Sequence, residues 1–189
     1  MIRKAKASDL DGIFSVLQSV GTEKKEALQG FLMNDYLKNE EKFRAKYSAD
    51  LQKLSYKYVY LEDNQIKGFL LAYRKEEWLQ EVPNWLENIY WHPQFAKYCL
   101  ENFVLINQTA LLPGSTGQGI GSLLYEALLA DLRQAGIADI FAETIIAPMP
   151  NIASLHFRMK QNYMLAGIRY ERQDNSVYTT LVYHKKVKL

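Results

Sequence analysis

The spacing of apolar and polar residues along the chain predicts an alternation of strands and helices. Residues 2–7 are predicted to form a short first strand, and apolar residues at helical spacing after it predict a helix that ends near Gly21. Residues from about 23 to 55 carry aromatic and leucine side chains on one side and lysines and glutamates on the other. This pattern predicts a largely helical element that covers the core.

The pattern beyond residue 55 favours a hairpin followed by alternating strands and helices. Two β-rich runs, residues 56–62 and 66–73, are joined by Asp63-Asn64-Gln65, which is typical of an antiparallel hairpin. The remaining elements predicted are a strand over 103–112, a helix over 120–135, a strand over 139–147, a helix over 151–161 and a closing hairpin of 163–171 with 177–184. The predicted order is therefore β-α-α-β-β-β-α-β-α-β-β.

Composition limits the size and class of the protein. With 189 residues, of which 48% are hydrophobic and 23% charged, we expect a single α/β domain over residues 1–189. A net charge of +2 with both signs interspersed argues against a nucleic-acid partner, and no apolar run approaches the length of a membrane-spanning helix. The single Cys99 fits a reducing, cytoplasmic location. His92, His156 and His184 lack metal-ligand spacing, so no metal is expected.

A glycine-dense turn between Pro113 and Tyr125 carries the clearest functional signal. It reads Pro-Gly-Ser-Thr-Gly-Gln-Gly-Ile-Gly-Ser-Leu-Leu-Tyr and connects a predicted strand to a predicted helix. Such a junction suits a phosphate, because glycines allow close approach and the helix start offers unpaired N–H groups. A Walker A loop would need lysine where Ile120 stands, and the glycine intervals do not match a dinucleotide fingerprint. The simpler alternative is a turn that only ends a strand and begins a helix.

The turn resembles the acyl-CoA loop of the GNAT N-acetyltransferases. The segment Thr116-Gly117-Gln118-Gly119-Ile120-Gly121, with Pro113 before it and Leu123-Leu124 after it, is similar to the family pattern Arg/Gln-x-x-Gly-x-Gly/Ala. Downstream, residues 151–163 resemble the family stretch Asn-x-x-Ala/Ser-x-x-Phe/Leu-Tyr-x-Lys-x-Gly-Phe. The predicted order of elements is that of a GNAT domain over nearly the full chain.

The resemblance implies both a fold and an activity. The fold would be a single mixed, mostly antiparallel sheet of about seven strands flanked by about four helices. The activity would be N-acetyl transfer from acetyl-CoA to a primary amine, by direct attack in a ternary complex, which makes the protein an acyltransferase for groups other than aminoacyl groups. The amine would belong to a small molecule or a peptide.

The resemblance also assigns candidate residues for acetyl-CoA. Backbone N–H groups of the loop would hold the pyrophosphate, and the end of the preceding strand would pair with the pantetheine arm. The full set implied is Ala110, Leu111, Leu112, Thr116, Gly117, Gln118, Gly119, Ile120, Gly121, Ser122, Asn151, Ser154 and Arg158. An alternative for Asn151, compatible with the first, is that it only caps the following helix.

Two positions depart from the family pattern. Thr116 stands where arginine or glutamine is usual, which removes a charge-assisted contact and is expected to weaken CoA binding. Arg158 stands where many members carry the tyrosine that protonates the leaving thiolate. A guanidinium stays charged at neutral pH, so it can stabilise a thiolate or hold a phosphate but cannot donate a proton.

Glu143 is the candidate catalytic base. Some members that acetylate peptide N-termini resemble this region through a glutamate on the fifth strand, and Glu143 falls at that position on an otherwise apolar predicted strand. The alternatives are that it pairs with an arginine such as Arg169 or lies exposed. Four further side chains remain possible acids, and their spacing selects none: Tyr90, Tyr163, Tyr170 and His156. Cys99 lacks the surroundings of a nucleophile.

Residues 75–102 are surplus to a minimal domain of this kind. The segment is rich in aromatic residues and carries five glutamates against two lysines. Carboxylates and aromatic faces both attract cations, so this insert is a candidate region for recognising the amine. The alternatives are that its aromatic residues form the insert's own small core or a dimer contact. Because Thr116 and Arg158 are off pattern, a second function also stays open, that of a non-catalytic acyl-CoA-binding or sensor protein.

Overall fold

The computed structural model describes residues 1–20, 26–34, 36, 38–173 and 175–188, which form eight strands and five α-helices. The strands are β1 (Ile2–Lys4), β2 (Tyr56–Glu62), β3 (Gln65–Arg74), β4 (Ile89–Trp91), β5 (Phe103–Leu111), β6 (Asp139–Ala147), β7 (Met164–Gln173) and β8 (Ser176–Lys186). The helices are α1 (Leu10–Ser19), α2 (Glu40–Lys53), α3 (Lys75–Glu81), α4 (Ile120–Gln134) and α5 (Ile152–Lys160).

The strands are hydrogen-bonded in one mixed sheet with the order β1-β2-β3-β5-β6-β8-β7-β4. The pairs β1–β2, β2–β3, β4–β7, β6–β8 and β7–β8 are antiparallel. The pair β5–β6 is parallel, and its register joins Phe103–Ile106 to residues 139–142. The prediction of a mixed, mostly antiparallel α/β fold is confirmed.

The chain divides into two compact units. The first comprises Met1–Ala72 and Gln108–Asp131, and the second comprises Tyr73–Asn107 and Leu132–Leu189. Strand β5 contributes its first half to the second unit and its last residues to the first. The prediction of a single domain over residues 1–189 stays a prediction.

Aromatic side chains form the centre of the first unit. The rings of Phe14 in α1 and Tyr47 in α2 meet edge to face at 6.3 Å, and Tyr47 meets Phe69 of β3 at 6.5 Å. The hairpin of β2 and β3 turns at Asp63 and Asn64, whose φ angles of 48° and 60° match a type I′ turn. The predicted hairpin is therefore confirmed.

The core of the second unit centres on Trp85. Its side chain is fully buried and contacts four aromatic rings, those of Trp78, Trp91, Phe103 and Phe141, at 6.3, 6.1, 5.7 and 5.9 Å. Trp91 stacks on Phe95 at 5.0 Å. Most aromatic residues of the insert therefore pack in a core that includes Phe103 and Phe141 of the sheet. Recognition of the amine by the insert stays a prediction.

The long helix predicted over residues 23–55 is wrong in extent. Only residues 40–53 are helical, and the described residues between 26 and 39 form turns and coil. Gly30 adopts φ 85°, a left-handed conformation that interrupts a helix, while Phe31 and Tyr36 are still buried. Apolar periodicity cannot distinguish a helix from an irregular segment that buries the same side chains. Residues 21–25, including Gly21, lie outside the described part.

The predicted counts of seven strands and four helices are each too low by one in the described residues. The additions are α3 and β4, both within the insert of residues 75–102. Strand β4 pairs with β7 and lies at the end of the strand order. Among the described residues, no helix combines the length and apolar character needed to cross a membrane.

Candidate functional site

The residues predicted to form the site fall into two groups, one in each unit. The first group is the end of β5, the start of α4 and the glycine-rich loop between them, residues 112–119. The second group lies on β6 and on the segment that begins α5.

Three glycines give the loop its backbone conformation. Gly114, Gly117 and Gly119 have φ angles of 84°, 82° and 82°, in the left-handed region that disfavours other residues. A Cβ atom built on any of the three would meet nothing within 4 Å. These positions therefore need glycine for its backbone freedom, and the space beside each of them is open.

The loop presents a row of unpaired backbone donors. The N–H of Ser115 donates to the Leu112 carbonyl, and the N–H of Leu123 donates to the Gly119 carbonyl. Between them, the N–H groups from Thr116 to Ser122 donate to no acceptor within the described ranges of the chain. Residues 116–119 are exposed. Seven donors beside the positive end of a helix dipole suit an anion.

The loop has no cationic side chain to assist the backbone. The chain carries neither lysine nor arginine from Glu101 to Leu132. The side-chain Nε2 of Gln118 donates to the Gly114 carbonyl at 2.9 Å, so it braces the loop. Because Thr116 stands where the family has an arginine or glutamine, the backbone N–H groups are the main donors that the loop's own residues offer to an anion.

The end of β5 is held tightly against β3. The N–H of Leu112 donates to the Lys67 carbonyl at 2.8 Å, and a Cβ on Gly68 would overlap the side chain of Leu111. Ala110 is buried, whereas Leu111 and Leu112 are half-buried. The register of β5 with β6 ends at Ile106, and β5 continues for five residues beyond it.

Asn151 caps α5, as its alternative reading proposed. Its side-chain oxygen accepts the Ser154 N–H at 3.1 Å, and its own N–H donates to the Ile145 carbonyl at 2.9 Å. Asn151 is buried and Ser154 is half-buried. The cap fixes where α5 begins and thereby where Arg158, two turns later, is placed.

Arg158 is a buried cation without a hydrogen-bond partner for two of its nitrogens. Its exposed fraction is 6%, and Nε and Nη1 have no acceptor in the described part of the structure. The guanidinium carbon lies 5.7 Å from the Phe157 ring centroid and 5.2 Å from that of Tyr163. Each such contact returns about 0.5–2 kcal/mol, whereas burying an unpaired ion costs several. The ring contacts do not offset that cost.

Glu143 is held by three N–H groups. Oε1 accepts from Trp85 Nε1 at 2.8 Å and from Arg169 Nε at 3.0 Å, and Oε2 accepts from Arg169 Nη2 at 3.1 Å. Arg169 also bonds Glu171 at 2.9 Å. The alternative that Glu143 pairs with Arg169 is thus what the structure contains. An ionised carboxylate has about four lone-pair sites, so Oε2 keeps one for a further donor.

The other candidate acids and the thiol differ in exposure. Tyr90 and Tyr170 are exposed and meet at a ring distance of 5.8 Å, and His156 is exposed. Tyr163 is buried beside Arg158. Burial and a hydrogen bond to Asp139 raise the pKa of the Cys99 thiol, which opposes a role as nucleophile.

Sequence reasoning missed a cluster of three potential metal ligands. One ligand atom each from Cys99, Asp139 and His184 lies within 4.8 Å of the other two. His184 Nε2 and Asp139 Oδ1 are hydrogen-bonded at 2.8 Å. The residues are 40 or more positions apart along the chain, so spacing could not reveal the cluster. The expectation of no metal stays a prediction.

A buried polar network in the first unit was also missed. The hydroxyl of Tyr47 donates to Gln108 Oε1, and Gln108 Nε2 donates to the hydroxyl of Tyr36 at 2.7 Å. The polar run Asn107-Gln108-Thr109 within β5 was the signal that could have indicated it.

Comparison with known proteins identifies the family. The acetyltransferase (GNAT) family model matches residues 25–161, nearly three quarters of the chain. No protein with a curated description matches in sequence. The fold is similar to that of the ribosomal-protein-S18-alanine N-acetyltransferase of Escherichia coli, with a TM-score of 0.65, 13% identity and coverage of 100% of this chain and 94% of that one.

Two similar structures contain the CoA moiety. The PaiA N-acetyltransferase of Thermoplasma acidophilum, solved with coenzyme A, has a TM-score of 0.65, 16% identity and 98% coverage of both chains. The YncA protein of Salmonella typhimurium, solved with acetyl-CoA, has a TM-score of 0.64, 16% identity and coverage of 100% and 94%. At these identities the likeness concerns the fold. Together with the family match, it establishes that the chain belongs to the GNAT acetyltransferase family.

Proposed function

We propose that this protein binds acetyl-CoA and transfers its acetyl group directly to a primary amine. The observation that carries the proposal is the row of N–H groups from Thr116 to Ser122, which have no acceptor among the described residues, in the loop that resembles the acyl-CoA loop of the family. Similar structures solved with coenzyme A and acetyl-CoA support this ligand.

The loop would hold the pyrophosphate through its backbone. The N–H groups of residues 117–121, with Ser122, offer donors to phosphate oxygens without any lysine or arginine nearby in sequence. The β5 residues Ala110 and Leu111, with Leu112, would pair with the pantetheine arm in the manner of an added strand. Asn151 and Ser154 would contact the arm again, at the positions that the family resemblance gives them.

Transfer requires a base and compensation for the charge of the leaving thiolate. The amine nitrogen must lose a proton as it forms a bond to the thioester carbonyl carbon, and the carbon–sulfur bond then breaks. Glu143 is the proposed base, through the lone pair that Oε2 retains, and Arg169 is a positioning residue for it. Arg158 would supply charge and no proton.

Thiol release from acetyl-CoA, measured over a panel of small amines and short peptides, tests the proposal. We expect at least one amine to be acetylated, with the product confirmed by mass spectrometry. Glu143→Gln should lower kcat by about 100-fold while leaving the Kd for acetyl-CoA unchanged. Glu171→Gln is the matched control, because Glu171 also bonds Arg169 but is itself exposed to solvent. The kcat of this variant should be nearly that of the unsubstituted protein.

A non-catalytic acyl-CoA-binding protein is the second candidate function. The three hydrogen bonds that Trp85 and Arg169 donate to Glu143 favour it, because a carboxylate held in this way can also be a purely structural group. Such a protein would bind acetyl-CoA, release no thiol with any amine in the panel and be indifferent to Glu143→Gln.

A further inference from the structure

We infer that the guanidinium of Arg158 is the centre of an anion-binding site that receives a phosphate or carboxylate group of a ligand. The inference depends on the contacts of Arg158 in the second unit and does not require that the protein transfers acetyl groups. The Arg158 site differs in kind from the loop site. The loop presents neutral backbone donors at the surface, whereas Arg158 presents a buried charge.

Within the described ranges, Arg158 has no ion pair with an aspartate or glutamate. Helix α5 contains no aspartate or glutamate, and neither does β8, which carries Tyr183. Tyr183 is close enough for its pKa to be lowered by Arg158, although burial raises it overall. Helix α5 and strand β8 therefore contain no carboxylate that could pair with the guanidinium.

The carboxylates of β6 lie on the other face of the sheet. Side chains alternate between the two faces along a strand. Tyr183 pairs with Ala142 and shares its face, whereas Glu143 pairs with Val182 and bonds Trp85 on the opposite face. Asp139, four residues from Glu143, also lies on that opposite face, where it bonds His184. Neither acid can neutralise Arg158 without crossing the sheet.

A second unsatisfied donor lies on the same face as Tyr183. Thr144 follows Ala142 by two residues, so its side chain lies on the same face. Thr144 is buried, with 3% of its surface exposed, and its Oγ1 has no hydrogen-bond partner among the described residues. Buried polar atoms are rarely left unsatisfied, so two such groups on one face indicate a ligand.

Chemistry determines the class of that ligand. Arg158 offers only donors and a permanent positive charge, and hydroxyls such as those of Thr144 and Tyr183 can donate as well. A group with several acceptor oxygens and a negative charge matches this set, and a cation or an apolar group does not. Phosphate and carboxylate both qualify, and either could come from a CoA moiety or from the acceptor molecule.

The test measures anion binding to the full chain by thermal unfolding, with sodium phosphate or sodium acetate titrated at constant ionic strength. Both anions should raise the Tm of the unsubstituted protein, and Arg158→Gln should weaken the apparent Kd at least about tenfold. Thr144→Val, which leaves the net charge unchanged, should weaken it severalfold. Arg172→Gln is the matched control, because Arg172 is exposed on β7, and it should leave the Kd unchanged.

A variant of the loop separates this site from the proposed acetyl-CoA loop. Gly119→Glu places a carboxylate among the loop donors, so it should abolish anion binding there while the Arg158-dependent shift in Tm persists. Equal Kd values for phosphate and for acetate in the unsubstituted protein and in Arg158→Gln would overturn the inference. If Arg158→Gln does not fold, Arg158→Lys provides the same comparison with the charge retained and the planar donor geometry lost.

Binding of two further ligands, acetyl-pantetheine and acetyl-CoA, shows which molecule supplies the anion. Acetyl-pantetheine has no phosphate, whereas acetyl-CoA has several. If Arg158→Gln weakens binding of acetyl-CoA only, the anion is a phosphate of the CoA moiety. If Arg158→Gln binds acetyl-CoA and acetyl-pantetheine as tightly as the unsubstituted protein does, but no longer binds phosphate or acetate, the anion belongs to the acceptor.

Discussion

Glu143 and Arg158 are two largely buried charged side chains of the second unit, and they differ in what surrounds them. Three N–H groups from Trp85 and Arg169 hold the carboxylate of Glu143. The guanidinium of Arg158 has two nitrogens without an acceptor within the described residues. The fold itself satisfies the first charge, whereas the described part of the chain supplies no acceptor for these nitrogens of the second.

Glu143 is thus a charged group that the fold holds in position, whereas Arg158 is a charged group that can still bind a ligand. The hydrogen bonds orient the carboxylate of Glu143 but leave it little capacity to accept further hydrogen bonds, since only one of its lone pairs has no donor. An unpaired buried charge destabilises the ligand-free protein and gains most when an anion arrives. The predictions below test this difference, beginning with the largest expected effect.

Removing the partner of Glu143 should give the largest loss of stability. Arg169→Leu leaves a largely buried carboxylate with only the Trp85 N–H, and we expect the free energy of unfolding to fall by about 3 kcal/mol. Urea denaturation at pH 7 measures it. Arg172→Leu, on the same strand and exposed, is the control and should change stability little. A similar small change in Arg169→Leu would show that the pair contributes nothing.

Removing the charge of Arg158 should raise the free energy of unfolding, the opposite of the effect expected for Arg169→Leu. Arg158→Leu replaces an unpaired buried ion with an apolar side chain against the rings of Phe157 and Tyr163, so the ligand-free protein should gain about 2 kcal/mol. The same denaturation experiment, in buffer free of phosphate, measures the gain. A loss of stability in Arg158→Leu would mean that the guanidinium already has a structural partner.

A glycine substitution extends the comparison to backbone donors. Gly119→Ala forces a Cβ into a left-handed conformation, which should cost about 1 kcal/mol of stability and weaken acetyl-CoA binding. Gly136→Ala is the matched control at the opposite end of α4, since its φ is also positive at 68° and its Cβ position is also open. It should cost similar stability and leave the affinity unchanged. Equal affinity losses in both variants would indicate a general effect on folding.

The smallest effect expected is a pH dependence from His184. Burial lowers the pKa of His184, while its hydrogen bond to Asp139 opposes the shift. The unfolded chain therefore binds a proton more readily than the folded protein, and stability should fall as pH drops below about 6.5. Urea denaturation at pH 8, 6 and 5 should show this fall, reduced in His184→Gln and unchanged in His156→Gln, whose ring is exposed. An identical slope in His184→Gln would contradict the assignment.

Local signals in the sequence predicted much of the fold and the loop. The strand over 139–147 and the helix that begins at Ile120 have the predicted bounds or nearly so, because glycine and proline mark their ends. Gly136, predicted to end α4, adopts the left-handed conformation typical of that position. Such features depend on a few adjacent residues and can be read without tertiary information.

Features that depend on distant residues could not be predicted in the same way. The sequence showed that Arg158 departs from the family pattern but not that it is buried without a partner, which depends on α5, β6 and β8 together. It offered Arg169 as one partner of Glu143 but could not choose between pairing and exposure. The cluster of Cys99, Asp139 and His184 joins three separate elements, and no spacing rule describes it.

Calorimetric titration of the purified protein with acetyl-CoA tests the central claim most directly, with ATP and NAD titrated in parallel. We expect saturable binding of acetyl-CoA with one site per chain, and we expect this binding to be weaker in Gly119→Ala than in Gly136→Ala. Titration with ATP or NAD should release little heat. Absence of binding by any CoA species, or preference for ATP or NAD, would contradict the assignment of the loop from Thr116 to Ser122 as an acyl-CoA site.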